Sequence, residues 1–318
     1  MSEATLTDRD FFSALAHQPS LPHPGQGQTL QRWQALADLA ARDLSVCKLA
    51  EAHWDALAIL QDLQRMDCHA PNKRWAVWAA DNPKTPLHLV QRNGEALLQG
   101  SKSWCSGADV VTHALLTCTD EEANAYLCLL DLQAPGIEQD HSQWQPLGMR
   151  NVRTAQLHFT QTPVQVLGPR SIYLERPGFW FGGAGIAACW YGAACAISQK
   201  LRKHLAAGNP HAAAHLGAMF AQLRAVRAMF YQLASCIDKA PEQVWTEEIG
   251  ALRSMMRNVA TSVMEHSARA MGPGPLCTDA AHAQRCADLA VWVTQQHAER
   301  DDEGLGKLSQ ASHVVWEL

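Results

Sequence analysis

Residues 99–111 read QGSKSWCSGADVV, and they gather four side chains able to take part in chemistry: Lys102, Trp104, Cys105 and Ser106. The stretch follows a run of alternating apolar residues and precedes another, so it falls between two expected strands. A tryptophan flanked by hydroxyls at a strand end serves either as a core anchor or as the wall of a ligand pocket. These residues alone leave both roles open.

Other chemistries are absent as motifs. The ten cysteines form no CxxC pair, which removes a zinc ribbon or a dithiol redox motif. Gly182-Gly183-Ala184-Gly185 lacks GxGxxG spacing, and neither a phosphate-binding GxxxxGK[ST] loop nor a GxSxG nucleophile elbow occurs. His53 with Asp55, and His297 with Asp301, have ligand-like spacing. A solvated helix surface explains both, and no metal is expected.

Composition sets the class. The 318 residues are 47% hydrophobic and 18% charged, with a formal net charge of −5. That is a globular chain with no basic tract, so nucleic acid is not an expected partner. The first residues carry Glu3, Asp8 and Asp10 and no apolar core, so no secretion signal is expected. No uninterrupted apolar run is long enough for a membrane span, and residues 178–198, rich in Gly and Ala, are expected to form a closely packed buried helix. Unpaired cysteines inside apolar runs suit a reducing compartment, so the cytoplasm is the expected location.

These residues must be positioned by elements whose period changes along the chain. Residues 1–29 read as a loosely structured start, with PSLPHPGQGQ (19–28) too rich in Pro, Gly and Gln for regular structure. Residues 30–70 form a short helical region, through Leu30, Trp33, Leu36 and Leu39 and then Ala56, Ile59, Leu60 and Leu63. Residues 71–176 read as a β domain of short alternating segments, with Asn93-Gly94 between two of them as a hairpin turn. Residues 177–318 read as helices only. A stripe of Leu216, Met219, Phe220, Leu223, Val226, Phe230 and Leu233 marks one, and others are expected near 242–270 and 279–300, separated by GPGP (272–275). Long helices with short connections read as an up-and-down bundle.

This α+β order, a shortened N-terminal helical segment, a small middle β domain and a C-terminal four-helix bundle, resembles the acyl-CoA dehydrogenase flavoenzyme superfamily. Three segments carry the resemblance. Leu98-x-Gly100-x-Lys102-x-Trp104 followed by Ser106-Gly107-Ala108-Asp109 is similar to the family's Gly-x-Lys-x-Trp-x-Thr/Ser segment. LGMRNVRTAQLHF (147–159) with TPVQVLG (162–168) resembles its Leu-Gly-x-Arg…Phe…Val-Pro…Gly segment. AMGPGPL (270–276) resembles a glycine turn between its last long helices.

The resemblance implies FAD as cofactor. Trp104 would shield the isoalloxazine, and Ser106, beside Gly107, would donate to its N5/O4 edge and so favour electron density on the reduced ring. The backbone at Trp78, Ala79 and Ala80 would line the pyrimidine side. Gly272 and Gly274 would form a turn approached by the FAD of a neighbouring subunit, which implies a homodimer or homotetramer. Where the family carries an arginine for a partner's FAD diphosphate, this chain has KHLAAG (203–208), so Lys203 or His204 would supply the charge without the bidentate fork. The family's Thr-Glu-Pro-x-x-Gly-Ser segment is replaced by AADNPKTP (79–86).

The implied reaction is α,β-dehydrogenation of a small acyl substrate, as a CoA thioester or a carrier-bound analogue. It needs a carboxylate to take the α proton. One family position for that glutamate falls on Gln296, and another falls near Trp180, where there is no acid. Glu299, a turn beyond Gln296, is the remaining candidate, set among the charges of QQHAERDDEG (295–304). Two alternatives accompany dehydrogenation: a flavin-dependent monooxygenase of the same fold, which needs no such base, and a catalytically degenerate scaffold or binding protein.

Overall fold

The structure, a computed structural model, describes residues 6–205 and 209–311. Helices α1 (Leu6–His17), α2 (Thr29–Arg42) and α3 (Leu44–Asp62) come first. Strands β1 (Trp75–Trp78), β2 (Leu87–Arg92), β3 (Glu95–Cys105), β4 (His113–Thr119), β5 (Ala125–Asp131), β6 (Ile137–Asp140), β7 (Ala155–Pro163) and β8 (Gln165–Val166) follow. A short α4 (Ile172–Glu175) leads to α5 (Gly178–His204), α6 (Pro210–Lys239), α7 (Thr246–Met271), α8 (Gly274–Thr278), α9 (Ala280–Trp292) and α10 (Glu299–Ala311). The chain divides into two compact units, one of residues 1–21, 45–146 and 150–179, the other of 22–44, 147–149 and 180–318.

In the first unit, eight strands among the described residues form one sheet in the order β6-β7-β3-β2-β4-β5-β8, with β1 parallel to β4. The β2–β3 hairpin turns at Asn93 and Gly94, with φ of 53° and 84°, so both central residues are left-handed as a primed two-residue turn requires. Leu98, Leu115, Leu116, Leu130 and Leu157 of the sheet are fully buried. The loose start expected over 1–29 is corrected in part. Residues 6–17 are helical because distant contacts order them: Phe11 is buried, and Asp8 is ion-paired to Arg153 at 3.0 Å. Residues 18–28 carry neither helix nor strand.

In the second unit, α5 packs so closely on α2 that a Cβ on Gly192 would lie 2.0 Å from the Ala37 carbonyl oxygen. By length and composition α5 could cross a membrane, yet 61% of its most apolar window is buried by protein, including Ala187, Ala188, Trp190 and Ala194. The α6 stripe buries Met219, Leu223, Val226, Phe230 and Leu233, whereas Phe220 points out and is 63% exposed. The single helix expected near 279–300 is two. Asp279 caps α9, accepting from the His282 N–H at 3.0 Å, and the chain breaks at Gln296–Ala298 before α10. The Gln296 side-chain oxygen holds that break by accepting from the Ala298 N–H at 2.9 Å, with Ala298 at φ 46°.

Candidate flavin site

The far end of β3 does not run straight. Its pairing with β7 shifts between Lys102↔Leu157 and Cys105↔Ala155, so two residues of β3, Ser103 and Trp104, stand opposite one of β7, Gln156. That is a bulge, and it re-aims a side chain. Trp104 sits in it at φ 64°, and its indole is 60% exposed. The core-anchor role is therefore excluded. A bulky residue held left-handed costs on the order of 1–3 kcal/mol, strain that concentrates at ligand clamps.

The neighbours of Trp104 point the other way. Lys102 is 2% exposed, and its Nζ donates to Asp81 Oδ1 at 2.6 Å, to the Thr117 carbonyl at 2.7 Å and to Thr117 Oγ1 at 2.9 Å. The Ser103 hydroxyl meets Asn82 Nδ2 and Thr85 Oγ1, each at 3.2 Å, and the Ser101 N–H donates to the Pro86 carbonyl at 3.2 Å. The segment 79–86 is thus fastened along β3 by β3's own polar side chains. Gly100, at φ 115°, is required there, because a Cβ would come 2.3 Å from the Pro86 oxygen. The Cys105 thiol is buried, and burial pushes its pKa up, so it is no nucleophile.

Past the bulge the chain makes a tight turn. The Ser106 N–H donates to the Trp104 carbonyl at 3.0 Å, and the Gly107 N–H donates to the Val152 carbonyl at 3.0 Å. Trp78, 3% exposed, donates its Nε1–H to the Ser106 carbonyl at 3.1 Å. Its side chain supports the turn. Ala80 is exposed, and the carbonyl of Ala79 accepts from Thr117 Oγ1 at 3.3 Å. Gly107, at φ 69°, has Leu49 Cδ2 only 2.5 Å from where a Cβ would be. The Ser106 hydroxyl lies 3.2 Å from Thr154 Oγ1, so one hydroxyl donates to the other and the second proton remains available. Asp109, following in the motif, is ion-paired to Arg153 at 2.6 Å, and its carboxyl is pushed above the usual range by burial.

The remaining predicted residues lie in the second unit. Lys203 and His204 are exposed on the last turn of α5. One turn earlier, Lys200 pairs with Asp279 at 2.6 Å, which brings that end of α5 to the segment following Gly274. That lysine, with the His282 N–H, holds the Asp279 carboxyl at about 2. Gly272 ends α7 at φ 67°, and no heavy atom lies within 4 Å of a Cβ built on Gly272 or Gly274. Of these two glycines, only Gly272 has a φ that demands glycine. Residues 206–208 of the KHLAAG stretch lie outside the described residues.

Glu299 is exposed in the first turn of α10. Gln296 is 3% exposed, with its amide donating to Asp302 Oδ1 at 3.2 Å. Among the described residues, no group of three or more His, Cys, Asp or Glu is placed to hold a metal ion. Sequence reasoning missed Asp81, Ser103, Thr117 and Thr154, which position the site. Only Asp81, in the segment that departs from the family pattern, carried any signal.

An exposed indole held at a strained bulge, with a hydroxyl pair one turn on, fits a planar aromatic ring that presents hydrogen-bond acceptors at its edge. Residues 79–162 match the family description "Acyl-CoA dehydrogenase, middle domain". No curated protein matches the chain by sequence. Among solved structures, butyryl-CoA dehydrogenase from Megasphaera elsdenii is 16% identical, with a TM-score of 0.78 over 98% of this chain and 100% of that one. TdsC from Paenibacillus sp. A11-2, solved with FMN and indole, is 14% identical, with a TM-score of 0.78 over 88% of this chain and 82% of that one. Methanesulfinate monooxygenase MsuC from Pseudomonas fluorescens is 16% identical, with a TM-score of 0.73 over 99% and 98%. In the arrangement of its elements and in its middle β domain, the chain has the fold of the acyl-CoA dehydrogenase-like superfamily.

Proposed function

We propose that this chain is a flavin-dependent oxidoreductase, and the observation that carries the reading is the exposed, left-handed Trp104 at the β3 bulge. In this reading Trp104 covers one face of the flavin, the Ser106–Thr154 hydroxyl pair donates to its edge, and the backbone from Trp78 to Ala80 and at Gly107 closes around the ring. Lys203 and His204 supply positive charge toward the diphosphate of a neighbouring subunit's FAD, with the Gly272–Gly274 turn leaving room for it. A bound flavin supplies hydride acceptance or, when reduced, reaction with oxygen. The chain's own task is to hold the ring, exclude water from its edge and place a small-molecule substrate against it.

Between the two reactions, Gln296 favours monooxygenation. Dehydrogenation of an acyl thioester needs a carboxylate in reach of the α proton. Gln296 has no basic group, its amide is engaged at both ends, and Glu299 faces solvent at a helix start. TdsC, a dibenzothiophene monooxygenase, and MsuC, a methanesulfinate monooxygenase, share this fold. The homodimer or homotetramer implied by the resemblance has a suitable surface on α6, where Phe220, Arg224, Arg227 and Tyr231 follow one another along an exposed face and the arginines stack on the rings. The ten unbridged cysteines support the cytoplasm as its location.

The test is the visible absorbance of the purified protein with and without added FAD and FMN. Flavin bands retained through desalting support the reading. Bleaching by an acyl-CoA without oxygen selects dehydrogenation, whereas a need for reduced flavin and oxygen selects monooxygenation. A colourless protein indifferent to excess FAD and FMN leaves only the degenerate scaffold.

A further inference from the structure

Away from the flavin site, two imidazoles meet across a helix pair. His215 on α6 and His266 on α7 place their Nδ1 atoms 2.8 Å apart, with ring centroids 5.1 Å apart and planes inclined at 58°. Both residues are half-buried, so one edge of the pair is open to water. With both rings neutral, the contact exists only if one ring carries its proton on Nδ1 and the other on Nε2. When both protons sit on Nε2, the two Nδ1 lone pairs face each other across 2.8 Å.

We propose that His215 and His266 form a divalent transition-metal site of tetragonal preference, with Ni2+ and Cu2+ as its ions. Geometry selects the class. With metal–imidazole bonds of about 2.0 Å, two cis ligands at a right angle place their nitrogens roughly 2.8 Å apart, whereas tetrahedral ligands stand about 3.3 Å apart. The observed 2.8 Å equals the right-angle separation. Square-planar and tetragonal nitrogen sites are those of Ni2+ and Cu2+. The nearest charges along α7 are Glu265 and Arg269, paired with each other at 3.4 Å, so the arginine's charge is partly neutralised. Two protein ligands leave the other positions to water or to a small ligand. The ion would join α6 to α7 and stabilise the folded state by mass action.

The experiment is thermal unfolding of the full chain with added NiCl2, chosen because Cu2+ would oxidise thiols in a chain with ten cysteines. The wild type should gain roughly 3 °C or more at saturating Ni2+. His215→Ala and His266→Ala should each lose the gain, and His266→Gln, which keeps a polar partner, should lose it too. No gain in the wild type, or a gain retained in the variants, overturns the site. A larger gain with ZnCl2 than with NiCl2 overturns the tetragonal assignment.

Discussion

The Nζ of Lys102 lies 2.6 Å from Oδ1 of Asp81, and the two ends of this pair live in different environments: the lysine is 2% exposed and the aspartate 70%. The ammonium depends on the carboxylate far more than the carboxylate depends on it. Asp81→Ala would leave a buried charge with only the two Thr117 oxygens, at a cost of about 2 kcal/mol or more. Lys102→Met removes the buried charge, keeps the stem's packing and leaves an aspartate that water can solvate, a loss of under about 1 kcal/mol. Urea midpoints of the two variants check the order. Equal losses, or a larger one for Lys102→Met, would show that the pair is symmetric after all.

Trp104 should trade stability for binding. Its side chain is mostly in water and its backbone is left-handed, so Trp104→Gly removes strain while giving up little packing. We expect the variant to be as stable as wild type or up to about 1 kcal/mol more stable, the gain being limited by glycine's added freedom in the unfolded chain. Flavin affinity should fall at least tenfold, the equivalent of about 1.4 kcal/mol of lost ring contact. Thermal midpoints together with flavin fluorescence titration decide it. A destabilised variant with unchanged affinity would make the indole a packing element.

The contrast between Lys102 and Trp104 also shows what a sequence can reveal. Period and turn chemistry placed the hairpin at Asn93-Gly94 and the helical C-terminal half, because these are set by neighbours a few residues away, but they put Trp104 between two strands, whereas β3 runs on through it to Cys105. The role of Lys102, on β3, rests on Thr117, on β4, which is distant in sequence and brought near by the sheet order β3-β2-β4, and no local pattern announces that. The helix at 6–17 is ordered through Arg153, far along the chain, and so read as loose. Phe220 fitted the apolar period of α6 yet faces outward, since periodicity reports spacing and not which side a neighbour covers. The break at Gln296–Ala298 depends on one side chain, Gln296, folding back on its own backbone.

Gly148 supplies a test of the motif at 147–150. In the second unit this segment lies against α9, and a Cβ on Gly148 would stand 1.9 Å from the carbonyl oxygen of Ala287. Beside it, the Met149 N–H donates to the buried Asp288 carboxylate at 2.5 Å, and Gln284 donates to the same oxygen at 2.6 Å. Backbone is in the way, so no side chain can swing aside. Gly148→Ala should therefore cost about 2 kcal/mol or more, as overpacking against a fixed element does. Gly94→Ala is the comparison, since nothing lies within 4 Å of its Cβ position and only its φ of 84° resists. Chemical denaturation of both variants should place Gly148→Ala below Gly94→Ala, and the reverse order would show that the segment yields easily.

His53 should give the first unit a pH-dependent stability on the acid side of neutrality. It is 3% exposed, its Nδ1 accepts the Trp75 N–H at 3.1 Å, and burial, followed by the charges of His69 and Arg74, lowers its pKa from 6.5 to about 4. The folded protein therefore keeps this ring neutral down to about pH 4, while the unfolded chain takes up a proton near pH 6.5. Between those values the unfolded state binds more protons, so stability falls as pH falls through the window and is flat above it. The difference amounts to at most about 3 kcal/mol. His53→Asn keeps an acceptor for the Trp75 N–H and removes the titration, so its stability should vary less between pH 7 and pH 4.5 than that of wild type. Parallel urea curves at the two pH values make the comparison, and an identical acid slope in variant and wild type would assign the loss to other groups.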